Sequence, residues 1–189
     1  MASSGGFSDR LVKRRGKRCR ADFCEVVQAV VPKDAQVVDL GAGAYGGYVH
    51  WMRANGWPAV QGIDASQDSE ELSEGFVKCG DITKPETCAE LMGQKPEWII
   101  FREVGEHIPA KLAPLVFCTL SLATKGIVVS WANIGQRGSG HVNCHMPEWV
   151  ACEMGRIGFV LNEHNTQIAR KILKDQRVMI FNKYRSNLK

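Results

Sequence analysis

The sequence predicts an α/β fold, a three-layer sandwich around a seven-stranded, mostly parallel sheet with an antiparallel last strand. Three observations carry this. Seven short apolar, β-rich runs recur along the chain. Stretches of helical spacing separate most of them, as βαβ units feeding a parallel sheet require. After Phe159 the alternation stops, and a polar stretch leads to one more strand with no crossover helix of clear period. A strand reached without a crossover pairs antiparallel.

The elements follow in order. Ala21–Val31 is the first helix, and Asp34 marks the turn into the strand Gln36–Leu40. Gly47–Ala54 reads as a helix, Gly56 as its punctuation, and Ala59–Ile63 as the second strand. Acidic residues crowd Ser66–Gly75, where only a short helix fits before the strand Gly75–Cys79. Pro85 lies just inside the helix Lys84–Met92, Pro109 just inside Ile108–Leu122, and Pro147 opens Pro147–Arg156; proline suits a first turn because its missing N–H has no partner there. The remaining strands are Trp98–Phe101, Gly126–Ser130, Phe159–Leu161 and Arg177–Phe181.

A length of 189 residues, without repeat or linker, fits one domain. With 44% hydrophobic and 23% charged residues, the composition excludes disorder throughout and any low-complexity fibre. The apolar runs Trp98–Phe101 and Gly126–Ala132 fall far short of the ~20 residues that span a bilayer. No charged-then-apolar leader opens the chain, and the seven cysteines are odd in number with no C-x-x-C pair, so a reducing, cytoplasmic setting is expected. The net charge of +4 is uneven: residues 1–20 carry seven Lys/Arg against Asp9, and residues 21–189 carry 17 basic against 19 acidic groups. Residues 1–20 are therefore expected to be a disordered basic tail, able to meet RNA, ahead of a mildly acidic domain over 21–189.

The strongest motif is Val37-Val38-Asp39-Leu40-Gly41-Ala42-Gly43-Ala44-Tyr45-Gly46, a β run ending in an acid and then glycines. Glycines 41, 43 and 46 fit G-x-G-x-x-G, whose missing side chains let backbone approach a nucleotide-like ligand. The next strand ends at Asp64, 18 residues beyond Gly46, where a carboxylate can accept from both ribose hydroxyls. The third ends Cys79-Gly80-Asp81-Ile82. Read singly, Asp39 is also a turn-capping acid and Asp81 an Asx-turn residue. Three acidic strand tips in this order, with the first acid before the glycines, resemble the class I S-adenosylmethionine-dependent methyltransferases and not the nicotinamide dehydrogenases. The resemblance covers about residues 21–185. It implies that Asp39 and the loop of Gly41, Gly43 and Gly46 meet the methionine end of the cofactor, that Asp64 holds the ribose, and that Asp81 and Ile82 meet the adenine.

A second constellation, Phe101-Arg102-Glu103-Val104-Gly105-Glu106-His107-Ile108-Pro109, follows the fourth strand. Its E-x-x-E-H form resembles small-molecule O-methyltransferases and also the small-RNA 3′-end 2′-O-methyltransferases, where such residues and a later His bind a divalent ion. In the first reading the backbone of Arg102 and the side chain of Glu103 wall the methyl site, and Glu106 and His107 orient the acceptor or act as a base. The alternatives are a divalent ion on the same set, or a helix-start acid and a first-turn histidine. The third constellation, Trp131 to His145, is rich in glycine and polar residues and reads as a lid or substrate loop, with Asn143 a recognition residue and His141 the fourth ligand or base. Cys144 is the one cysteine whose setting suggests reactivity. Together these features lead us to expect methyl transfer from S-adenosylmethionine to a hydroxyl or amine of a small molecule. The alternatives are an RNA 2′-O-methyltransferase and a non-catalytic, methyltransferase-like partner subunit.

Overall fold

A computed structural model describes residues 19–93 and 96–184, with only the backbone of Thr87, Leu91 and Met92. Its elements run α1 (Ala21–Val30), β1 (Val37–Leu40), α2 (Gly47–Ala54), β2 (Val60–Asp64), α3 (Ser69–Leu72), β3 (Val77–Cys79), α4 (Pro85–Met92) and β4 (Trp98–Arg102). Two 3-10 turns, Gly105–His107 and Ala110–Leu112, lead to α5 (Ala113–Leu120), β5 (Gly126–Ser130), α6 (Pro147–Arg156), β6 (Phe159–Leu161), α7 (Glu163–Leu173) and β7 (Met179–Lys183). The sheet order is β3-β2-β1-β4-β5-β7-β6. The first five strands pair parallel, whereas β7 pairs antiparallel with both β5 and β6. β1, β4 and β5 read as near-continuous apolar runs because both of their faces are covered.

One core packs α4, α5 and α6 against the sheet through Cys88, Phe117, Met154 and Phe159. The other packs α1, α2 and α7 through Phe23, Val27, Met52 and Ala169. Trp57 is fully buried in the second, with its indole N–H donated to the Pro32 carbonyl at 3.0 Å, and Trp51 packs beside it, 5.8 Å between rings.

Three expectations need correction. The polar stretch after Phe159 does hold a crossover helix, α7, capped by Asn162, whose side chain accepts from the Asn165 N–H. Its apolar face, Ile168, Ala169, Ile172 and Leu173, does recur at helical spacing but is confined to the second half of a mostly polar stretch. The helix expected over Ile108–Leu122 begins at Ala113, with Pro114 in its first turn, because a proline ring within a longer helix would collide with the carbonyl four residues before it. The last strand starts two residues late, since Arg177 is engaged in ion pairs. Of the expected tail, residues 1–18 lie outside the described residues. Arg20 belongs to the domain: its guanidinium pairs with Asp22 and its backbone N–H donates to Tyr48 Oη at 3.4 Å.

Candidate active site

The order of the strands reverses between β1 and β4, and a crevice for ligands forms outside the carboxyl ends at such a point. The glycine loop after β1 and the turn after β4 meet there. Gly41, Gly43 and Gly46 all take left-handed φ values, +76°, +71° and +57°, that other residues adopt only at a cost. A Cβ on Gly41 would lie 2.5 Å from Val104 Cγ2, so the loop packs on the turn of the second motif with no room for a side chain. Asp64 braces the loop, one carboxylate oxygen accepting from Gly43 N–H at 2.8 Å and the other from Ser66 N–H at 3.0 Å. Burial pushes its carboxyl above the ordinary range, with those two N–H groups opposing.

Asp39 is 3% exposed, and its Oδ2 has no hydrogen-bond partner. Burial first, then the nearby Asp64 charge, push its carboxyl up to about 7, with Arg102 pulling the other way. The Arg102 guanidinium lies over the rings of Phe23 and Tyr48, 4.9 and 6.0 Å from their centroids. A buried carboxyl with an unpartnered oxygen, Asp39, and a second acid, Asp64, thus sit beside a loop of open backbone, an arrangement that suits a cationic ligand. Asp81 is occupied locally, its Oδ1 accepting from Thr83 N–H at 2.9 Å and Thr83 Oγ1 at 2.6 Å, as an Asx turn does. Ile82 is buried in the first core, and its carbonyl accepts from Thr119 Oγ1.

After β4 and β5 Glu106, His107 and His141 converge, one ligating atom of each lying within 4.8 Å of the others. The His107 and His141 rings stand edge to face at 5.0 Å. Glu106 is fully buried without a hydrogen-bond partner on either oxygen. Burial first, and then the Glu103 charge, push its carboxyl up to about 7, while the Glu106 and Ala132 amides, near it but outside hydrogen-bond geometry, and His141 pull the other way. Glu103 does not join them. Its φ is +53°, its Oε1 accepts from Ser130 Oγ at 2.7 Å, and its Oε2 pairs with Arg177 Nη1 at 2.8 Å. Arg177 in turn clasps Asp175 through two bonds of 3.0 and 2.7 Å. Glu103 therefore shapes the end of β4. Ser130, Asp175 and Arg177 went unnoticed in the sequence because nothing local ties them to a residue 27 to 74 positions away.

The loop read as a lid is pinned over its second half. Val142 and Asn143 donate backbone N–H groups to the Glu106 carbonyl at 2.8 and 3.0 Å, and His145 donates to Ala132 at 2.9 Å. Asn143, expected to recognise a ligand, is 4% exposed; its Nδ2 donates to the Gly105 carbonyl and its Oδ1 meets His145 Nε2 at 2.7 Å. It is a brace. Burial and the Glu106 charge push the Cys144 thiol up, and its sulfur lies 3.8 Å from His141 Nδ1. Gly105 has a role that its position in the sequence does not show: a Cβ there would lie 2.3–2.4 Å from three ring carbons of the buried Trp131. Gly105→Ala is therefore expected to cost ~1–3 kcal/mol of overpacking, read as a lower denaturation midpoint. An unchanged midpoint would show that Trp131 can move aside.

A cleft of about 300 Å³ lined by Gln36, Arg53, Gln61 and Pro96 opens at the amino-terminal ends of β1 and β2, away from all these groups.

No family model matches the chain, and no curated protein matches it. Solved structures do share its fold. A SAM-dependent methyltransferase from Archaeoglobus fulgidus is 17% identical over 92% of this chain and 99% of that one, with a TM-score of 0.62. One from Anabaena variabilis is 12% identical over 96% and 97%, with a TM-score of 0.64. Magnesium protoporphyrin IX methyltransferase from Synechocystis, with bound SAH, is 16% identical over 92% and 82%, with a TM-score of 0.59. The chain has the fold of the class I S-adenosylmethionine-dependent methyltransferases.

Proposed function

We propose that the protein is an S-adenosylmethionine-dependent methyltransferase acting on a hydroxyl or amine of a small molecule. One observation carries this reading: the buried Asp39 carboxyl, whose Oδ2 has no hydrogen-bond partner, lies beside three left-handed glycines at the switch point of the sheet. Fold alone would not decide function, because the cyclase SpnF shares it with 10% identity and a TM-score of 0.60. The site supports the reading. S-adenosylmethionine supplies a methyl group already activated on a positive sulfonium. The acidic pair Asp39 and Asp64 suits that charge and the cofactor's amino group. The N–H groups of the glycine loop suit its close approach, and Ile82 with Asp81 suits the adenine. Arg102 holds Asp39 towards its ionised form.

On the acceptor side, Glu106, His107 and His141 orient a hydroxyl or amine and take up its proton. Relatives in fold that act on small molecules, such as the magnesium protoporphyrin IX methyltransferase, favour a small acceptor over RNA. A cytoplasmic setting agrees with seven unpaired cysteines and with the lack, among the described residues, of any helix long and apolar enough to cross a membrane. The test is transfer of labelled methyl from the cofactor across separate metabolite and RNA pools. Label in a metabolite supports the proposal; label in RNA alone, lost with residues 1–18, moves the acceptor to RNA.

Asp64→Ala is expected to weaken cofactor binding by ~10–150-fold, since a charge-assisted hydrogen bond contributes roughly 1.5–3 kcal/mol and the same carboxylate braces Gly43. Calorimetric titration of both proteins checks it. Equal affinities would leave Asp64 as a strand-end acid and nothing more.

A further inference from the structure

We propose that Arg177, in the turn before β7, is a positioning residue for the cofactor crevice, acting through Glu103 to hold the turn after β4 in its left-handed form. The inference deepens the cofactor side of the reading above and rests on it for the identity of the ligand.

The turn after β4 has to be held. Glu103 has a φ of +53°, which costs free energy for any residue with a side chain and persists only where the surroundings impose it. The surroundings here are two other segments of the chain. From the end of β5, the Ser130 carbonyl and Oγ both accept from Glu103 N–H at 3.2 Å, and the same hydroxyl donates to Glu103 Oε1 at 2.7 Å. From the turn before β7, Arg177 Nη1 donates to Glu103 Oε2 at 2.8 Å. Arg177 is itself fixed, because Asp175 accepts from its backbone N–H at 2.9 Å, its Nε at 3.0 Å and its Nη2 at 2.7 Å. The guanidinium fork thus joins two carboxylates on two turns, a geometry that an ammonium cannot copy. The three charged side chains are only 18–26% exposed, so solvent and salt screen the pairs little.

The residues on either side of Glu103 are the ones that build the crevice. Arg102 lies over the rings of Phe23 and Tyr48 and favours the ionised form of Asp39. Val104 seats the glycine loop, its methyls leaving no room for a Cβ on Gly41. One left-handed residue therefore sets where both neighbours stand, and its carboxylate is answered by a residue 74 positions on. The Asp175 end of the relay also reaches this group: burial opposes it, but the bonds from Arg177 and the Arg102 charge hold the Asp175 carboxyl below its ordinary range. Without Arg177 the partly buried Glu103 carboxylate loses its cation. The turn is then free to relax to an ordinary φ, carrying Arg102 away from Asp39 and Val104 away from Gly41.

The experiment measures S-adenosylmethionine affinity of the full chain by calorimetry, with the urea midpoint of each variant read alongside. Arg177→Met and Glu103→Gln are each expected to raise Kd about tenfold, and the double variant no further than either alone, as members of one network behave. Glu103→Gly in the Arg177→Met background should return Kd to within about threefold of the parent, because glycine keeps a left-handed turn without the ion pair. Arg156→Met, which removes an exposed pair with Glu153 on α6, is the control and should leave Kd unchanged. If Arg177→Met does not fold, Arg177→Lys, which keeps the charge and loses the fork, should raise Kd about threefold or more. A lower midpoint with unchanged Kd in the Arg177 and Glu103 variants would make the pair a structural tie and overturn the inference. So would additive losses, or a loss that Glu103→Gly does not repair. A folded parent that binds no S-adenosylmethionine refutes the methyltransferase reading and this inference with it, whereas a parent and variants that bind equally refute this inference alone.

Discussion

His107→Ala and His141→Ala are each expected to lower methyl transfer by ~10²–10⁴-fold while leaving S-adenosylmethionine affinity within about twofold. The split follows from where the rings sit. They face one another at 5.0 Å on loops after β4 and β5, across the switch point from Asp39 and Asp64. Each ring is oriented by a backbone carbonyl, so removing it deletes a proton acceptor or ligand with little change in packing. The rate is read with labelled cofactor on the first acceptor found in the pool screen, and affinity by calorimetry. Full activity in both variants would make the histidines structural. Equal losses in rate and cofactor affinity would put them on the wrong side of the crevice.

Asp39→Asn is expected to stabilise the protein at pH 8 while weakening cofactor binding. In the folded chain the Asp39 carboxyl is raised to about 7, against about 3.8 in the unfolded chain. Between those values the unfolded state gives up a proton that the native state keeps. Stability therefore falls as pH rises from about 4 through about 7 and then levels off. A rise of that size corresponds to at most roughly 4 kcal/mol at pH 8, on the order of 10 °C in Tm for a chain of this length. Asparagine keeps the neutral shape and removes the titration, so the two proteins should agree near pH 4, diverge from there to about pH 7 and stay apart above it. Thermal unfolding across that range measures it. A variant less stable than the parent at pH 8 would mean that Asp39 is satisfied in its native state. Stability withheld at one buried acid is what a site pays to meet a cationic ligand.

The sheet was legible in the sequence because its strands are short apolar runs, and all seven begin and end within two residues of where they were expected. The crossover α7 was overlooked, because its apolar positions Ile168, Ala169, Ile172 and Leu173 follow a polar first turn, Glu163 to Gln167, that reads as a loop. The placement of Asp39, Asp64 and the glycines 41, 43 and 46 at the ends of β1 and β2 was legible, since strand tips and left-handed glycines are local features. The cluster after β4 and β5 was half legible. E-x-x-E-H named Glu106 and His107 correctly as neighbours of His141, but it also recruited Glu103, whose partner Arg177 lies 74 residues on. Nor could spacing show that Gly105 is required by Trp131, or Gly138 by His141, because those contacts exist only once the loops after β4 and β5 are brought together.

The central claim is that the crevice beside Asp39 holds S-adenosylmethionine, and calorimetric titration of the folded chain with that cofactor and with its demethylated product tests it most directly. The account expects one site per chain for each ligand, with stabilisation of about 2.7 kcal/mol at a ligand concentration 100-fold above Kd. Neither heat nor a shift in Tm with either ligand, from a sample shown to be folded, would contradict it.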